Sequence, residues 1–199
     1  MRPADPPLRI PDGELLPCVV QHADTGRVLM LAYMDAEALA ATLETGLGHF
    51  HSRSRDRLWR KGETSGNVLA VTSLAPDCDG DAILMLALPA GPTCHTGTES
   101  CFDAAAPALP DLAGTIAERA ESGAAGSYVA GLLAGAREAR QRKIGEEAVE
   151  TLLAEPASDH LVSEVADLWF HSMVLLAGDG RDPLAPLAEL GRRRRDPVV

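Results

Sequence analysis

The hydrophobic rhythm of the chain changes once, near residue 103, and no other feature limits its possible folds as much. Before that point, apolar runs at 15–21, 27–33, 68–74 and 82–88 are short and cut by turn residues, with one helix-like stretch at 36–44. Such runs read as β-strands around a small core. Beyond it, strand signals vanish and Leu, Ala and Glu recur at helical spacing. The expectation is a strand-rich α+β domain at 15–103 followed by an all-α domain at 111–199. An extension at 1–14 precedes them, and an Ala/Pro-rich linker at 104–110 joins them.

A chain of 199 residues gives each half roughly 100 residues, enough to bury a usable core. No internal repeat relates the halves. Helices are expected at about 111–122, 127–141, 144–155 and 158–177, with a short one after Pro183. Ser158 is the expected N-cap and Gly178 the expected stop of the longest.

With 46% hydrophobic and 24% charged residues the composition is that of a soluble folding protein. A net charge of -11 weighs against a nucleic-acid partner, whose phosphates reward clustered Lys and Arg. The one basic block, Arg192 to Arg195, reads as a solvated helix end. Residues 1–10 hold prolines and no apolar core of signal-peptide length, and no run of about 18 apolar residues occurs. A cytoplasmic protein without a membrane partner is expected. In that compartment Cys18, Cys78, Cys94 and Cys101 serve as thiols or metal ligands rather than disulfides.

Three carboxylates, Asp77, Asp79 and Asp81, alternate around Cys78. If the segment is extended, the acids point to one side and the thiol to the other. Hard oxygens suit Mg²⁺ and soft sulfur suits Zn²⁺. A calcium hand starting at Asp77 fails, because its sixth and twelfth positions are Ala82 and Leu88. A solvated acidic turn is the plainer alternative. Against it stand two more thiols, Cys94 and Cys101, in the loop-like segment 91–102. Three thiolates fill three corners of a tetrahedral zinc site and leave the fourth to water, the arrangement of catalytic zinc. His95, beside Cys94, is a candidate acid or base; the alternative is a histidine held by one structural hydrogen bond. Segment 51–67, with Arg53, Arg55, Trp59, Lys61 and Ser65, has the donors of an anion-binding loop.

The run from Val28 to Met34 through Ser52-Arg53-Ser54-Arg55, Leu58-Trp59, Lys61-Gly62-Glu63, Ser65-Gly66-Asn67, Asp77-Cys78-Asp79-Gly80-Asp81 and Cys94-His95-Thr96-Gly97 to Ser100-Cys101-Phe102 resembles phosphoribosyl-AMP cyclohydrolase. The resemblance covers about residues 15–103. It implies that Cys78, Cys94 and Cys101 bind zinc, with Cys78 supplied across a homodimer interface, and that Asp77, Asp79 and Asp81 bind magnesium. Leu69 and Thr93 depart from residues common in the family, at positions outside the implied ligand set.

In the second half Glu147 with Glu150, and Glu164 with Asp167, each share a helix face by three-residue spacing. Two antiparallel helices can aim these four acids at one point, where a cation must offset their repulsion. Mg²⁺ bridging a pyrophosphate fits; exposed charges on amphipathic helices are the alternative. Ser127-Tyr128, the stretch from Lys143 to Glu150, the stretch from Glu164 to Asp167 and Trp169-Phe170-His171 resemble phosphoribosyl-ATP pyrophosphohydrolase, a MazG-like all-α family. The resemblance implies that the four acids hold magnesium, that Lys143 contacts phosphate and that Glu146 assists as a base.

The two resemblances in this order imply a bifunctional hydrolase of histidine biosynthesis. It would remove pyrophosphate from phosphoribosyl-ATP and then open the purine ring of phosphoribosyl-AMP, with His95 or Lys61 as proton acceptor. Two rivals stand beside it: a broad nucleoside triphosphate pyrophosphohydrolase, and a zinc-stabilised interaction module with a helical dimerisation domain.

Overall fold

The computed structural model describes residues 8–102, 108–123 and 126–195, the side chain of the last excepted. The chain divides into two compact units, Met1–Pro107 and Ala108–Val199. The first seven residues of the expected extension, and 104–107 of the expected linker, lie outside the described residues.

The first unit is one six-stranded sheet in the order β4-β3-β2-β1-β6-β5. Its strands are β1 (Leu16–His22), β2 (Val28–Met34), β3 (His49–Ser52), β4 (Arg57–Arg60), β5 (Leu69–Pro76) and β6 (Ile83–Pro89). Every neighbouring pair is antiparallel except β1 and β6, which run parallel with Val20 opposite Met85. Inward alternation along β1 buries Leu16, Cys18 and Val20, and these pack with Leu29, Met34, Phe50, Leu69, Ile83 and Met85. Helix α1 (Ala36–Thr45) starts where Asp35 Oδ1 accepts the Ala38 N–H at 2.8 Å and ends at Gly46 in the left-handed conformation.

All four expected strands and α1 are present, and the fold is the expected strand-rich α+β unit followed by helices. Strands β3 and β4 fall where only a loop was expected. Their hairpin, Ser52 opposite Arg57, carries Arg57 and Arg60 on its second strand, so polar residues hide the alternation. The Asp77 to Asp81 segment is a turn rather than an extended strand: Asp77 Oδ1 accepts from the N–H groups of Gly80 (3.0 Å) and Ala82 (3.1 Å).

The second unit holds α2 (Ala108–Ser122), α3 (Tyr128–Ala134), α4 (Arg137–Leu153), α5 (Asp159–Gly178) and α6 (Ala185–Arg195). Ala113, Ile116, Met173 and Val174 form its core. Two expectations shift here. Helix α2 begins at Ala108, three residues before Asp111, since Pro110 in a first turn lacks only an N–H that would have no partner. The break expected near residue 142 falls instead at Gly135 and Ala136, where the backbone is extended, and α4 runs unbroken through Lys143. Ser158 caps α5 by accepting the Leu161 N–H at 3.1 Å, whereas Gly178 is the last residue of α5 and Asp179 its C-cap.

No uninterrupted run of about 18 apolar residues occurs, but one helix is apolar on average over that length. By length and composition α5 could cross a membrane, with a mean hydropathy of 1.3. Counting uninterrupted apolar residues passed over it because Glu164, Asp167 and His171 break the run. One such helix is weak evidence, and α5 buries Glu164, His171, Met173 and Val174 within its own unit.

Candidate active sites

In the strand-rich unit a cleft of about 670 Å³ opens beside the sheet. The turn after β4 supplies Lys61 and Ser65, β4 supplies Trp59, and the β3–β4 turn supplies Arg55. The opposite wall is Thr93, Cys94, His95 and Cys101. Ser100 anchors that wall: its buried hydroxyl donates to the Val28 carbonyl at 2.7 Å and accepts the Phe102 N–H at 2.8 Å. The Cys101 N–H donates to Leu29 at 2.8 Å, so β2 fixes the thiol's position. At Gly62 a Cβ would lie 2.5 Å from the Asn67 carbonyl carbon, and φ is +81°, so only glycine closes this turn.

Cys94 and Cys101 lie close enough for each thiol to shift the other's proton affinity. The Thr96 hydroxyl donates to Cys94 Sγ at 3.1 Å, and with the Thr96 backbone it lowers that thiol to about 6. Burial, then the Cys94 thiolate, pushes Cys101 up. Nδ1 of His95 lies 3.8 Å from Cys94 Sγ. The ionised member of such a pair is a soft ligand ready for a metal of zinc type.

Asp77, Asp79 and Asp81 bring one carboxylate oxygen each within 4.8 Å of one another, all exposed. The Ala82 N–H holds Asp77 below the usual carboxylate range, while the hydrogen bond with Asp77 and the charge of Asp79 raise Asp81. Cys78 is exposed in the same turn and is not among the residues lining the cleft. Arg53 is not among them either; its guanidinium lies 3.8 Å from the centre of the Tyr33 ring.

In the helical unit, α4 and α5 aim Glu147, Glu164 and Asp167 at one point, with one oxygen each within 4.8 Å. Glu147 and Glu164 are buried. Partial desolvation together with the charges of Glu147 and Glu164 raises the carboxyl of Glu150. The Lys143 ammonium lies 2.9 Å from both Glu146 and Glu147 and is pinned in its charged form. That contact holds Glu146 low. Buried His171 places Nε2 3.6 Å from Glu147 Oε1, and burial depresses its imidazole.

Residues 30–103 match the phosphoribosyl-AMP cyclohydrolase family, and residues 109–194 match the phosphoribosyl-ATP pyrophosphohydrolase family. The chain is 48% identical over 189 residues to the histidine biosynthesis bifunctional protein HisIE of Escherichia coli (strain K12), covering 92% of this chain and 93% of that protein. The HisIE protein of Salmonella typhimurium (strain LT2) is 50% identical over 170 residues, 83% of each chain, and that of Yersinia pestis 45% over 187 residues, 90% of each. The chain belongs to the HisIE family.

The cyclohydrolase domain thus brings Arg55, Trp59, Lys61, Ser65, His95, Cys94 and Cys101 around one cleft, and leaves Cys78, Arg53 and the three aspartates out of its lining. The pyrophosphohydrolase domain brings three of the four expected acids, Glu147, Glu164 and Asp167, to one point, with Lys143 beside Glu146 and Glu147, while Glu150 lies outside that group but within reach of its charges. Two residues escaped the sequence reading. Thr96 follows Cys94 by two positions in a turn, and nothing in one sequence marks it as a thiol donor. His171 was legible, since it stands four residues after Asp167 and seven after Glu164 on the same helical face.

Proposed function

We propose that the chain removes pyrophosphate from phosphoribosyl-ATP at its acidic helix pair and opens the purine ring of phosphoribosyl-AMP at the thiol cleft. Family membership over 92% of the chain supports both activities. The observation that carries the residue assignment is the convergence of two thiols, Cys94 and Cys101, with Arg55, Lys61 and Trp59 around one cleft. This donor set fits zinc on Cys94 and Cys101, with Cys78 of a second copy completing three thiolates; the carboxylates of Asp77, Asp79 and Asp81, and of Glu147, Glu150, Glu164 and Asp167, fit magnesium. When bound, zinc supplies a nucleophilic water near neutral pH, and magnesium offsets phosphate charge.

The protein's own groups do the rest. Trp59 stacks on the purine, Arg55 and Ser65 hold phosphate, and Arg53, seated over Tyr33, adds positive charge beside them. His95 Nε2 takes the proton of the attacking water and returns it to the ring nitrogen as the ring opens, with Lys61 as the alternative acceptor. In the helical domain Lys143 moves to the phosphate. That move releases Glu146, whose rising proton affinity fits it to accept the proton of the water attacking phosphorus.

The protein acts as a homodimer with the zinc site shared, in the cytoplasm, where free thiols of this kind persist. Its catalytic units meet in sequence near residues 104–107, with the second beginning at Ala108 of α2; the family matches at 30–103 and 109–194 support a division there.

Mixing Cys78→Ala and Cys94→Ala proteins, each inactive in ring opening, tests the shared site. Random pairing restores roughly a quarter of the parent rate, because half the dimers keep one intact site of two. No recovery from folded, exchanged dimers contradicts a shared site.

A further inference from the structure

A second cleft, of about 390 Å³, adjoins the thiol cleft in the strand-rich unit. Met30, Arg55, Trp59 and Glu63 are walls of both. Leu31 and Tyr33 of β2 line the second cleft with Ser52, Ser54 and Arg57, and no thiol lines it.

The turn that borders this cleft is tied down at both flanks of Arg55. On one side Arg53 rests over Tyr33, 3.8 Å from the ring centre. On the other, His51 bridges two carboxylates: Nδ1 lies 2.7 Å from Asp35 and Nε2 lies 3.2 Å from Asp56. Asp56 sits at φ +48°, the left-handed conformation that aspartate tolerates in tight turns. With Arg53 and Asp56 anchored on either side, the turn holds Arg55 between the clefts. Arg57 is already paired with Glu63 at 3.1 Å and His51 with Asp35 and Asp56, so Arg55 is the cation of this rim open to an anion, with the hydroxyls of Ser52, Ser54 and Tyr33 beside it.

Phosphoribosyl-AMP carries two phosphates on separate arms of one purine. One is the AMP half, with purine, ribose and phosphate; the other is a smaller phosphoribosyl group. In a chain of net charge -11, each dianion needs its own local donors. We infer that the second cleft is the subsite for the added phosphoribosyl group. The smaller arm takes the smaller cleft, with Ser52, Ser54 and Arg55 donating to its phosphate. The larger AMP half, which contains the ring to be opened, takes the larger cleft with Cys94, His95 and Cys101. Trp59, common to both, is the wall along which the purine passes. This rests on the reading above that Arg55 and Trp59 hold substrate.

The test uses full-length protein and two ligands. Ser54→Asp puts a carboxylate on the second rim at an exposed position where folding is not at stake. Ser65→Asp does the same in the thiol cleft. The readouts are KM for phosphoribosyl-AMP and the inhibition constant of AMP, which has one arm only. Measurements at about 0.15 M salt, where screening reaches ~8 Å, keep each charge local.

Ser54→Asp should raise KM about tenfold, with kcat and the AMP inhibition constant each within about twofold of the parent. Ser65→Asp should raise both KM and the AMP constant. An unchanged KM in Ser54→Asp, or an equal rise of both constants, overturns the subsite while a Ser65 effect leaves the substrate-cleft reading standing. No effect from Ser65→Asp overturns the cleft reading, and the subsite with it.

Discussion

Asn67 occupies the space that a side chain at Gly91 would need: a Cβ there would lie 2.6 Å from Asn67 Oδ1, while Asn67 Nδ2 donates to the Pro92 carbonyl at 3.0 Å. The contact joins the turn after β4 to the segment that carries Cys94. Because the crowded atom is the end of a side chain, Gly91→Ala should displace Asn67 rather than unfold the domain. Ring opening should fall at least about tenfold with Tm within about 4 °C of the parent, a stability change near 1 kcal/mol. Thermal unfolding beside steady-state rates checks both halves of this statement.

The two reaction centres stand in separate compact units, each with its own core. Cys94→Ala should therefore abolish ring opening and spare pyrophosphate release, and Glu150→Ala should do the reverse. Loss of both activities from one substitution in a folded protein would show a dependence between sites that the separate units do not explain.

Thiol reactivity should follow burial. Cys18 is fully buried in β1, and desolvation pushes it up to about 12 from an ordinary 9.0. The folded state thus binds its proton more tightly than the unfolded chain. Its contribution to stability is present below pH 9 and is lost as pH rises from about 9 toward 12. At pH 8, metal-free native protein treated with iodoacetamide should be alkylated at Cys78, Cys94 and Cys101, and at Cys18 only after unfolding; mass spectrometry of peptides reads the sites.

Two helical glycines should respond to alanine with opposite signs. At Gly114 in α2 a Cβ meets nothing within 4 Å, so Gly114→Ala should stabilise by up to about 1 kcal/mol through helix propensity. At Gly178 the Cβ would lie 2.5 Å from Nε of the buried Arg140, whose Nη1 donates to the carbonyls of Leu132 and Gly135 at the end of α3. Gly178→Ala should cost about 1–3 kcal/mol, the range for disturbing a buried charged hydrogen-bond donor. Denaturant melts that follow the helical signal would separate the two.

Strands with clear alternation, such as β1 with Leu16, Cys18 and Val20 inward, were legible from residue order because burial writes itself directly into the pattern. The acids of α4 and α5 were legible for the same reason, since three-residue spacing fixes a helix face. The β3–β4 hairpin was not, because Arg57 and Arg60 bear on the cleft rather than on the core. Nor was the break at Gly135, because the Ala and Leu spacing on both sides carries a helical pattern across a glycine that a helix can also tolerate. Between the extended and turn forms open to residues 77–81, the turn forms because two N–H groups bond the Asp77 carboxylate, a choice that alternation of Asp residues cannot reveal.

The most direct test of the account is to supply purified protein with phosphoribosyl-ATP, Mg²⁺ and Zn²⁺, and to follow pyrophosphate release together with the ultraviolet change of purine ring opening. The account predicts both signals, pyrophosphate first, with ordinary nucleoside triphosphates hydrolysed more slowly. Absence of both signals, or a preference for ordinary nucleoside triphosphates, would contradict it.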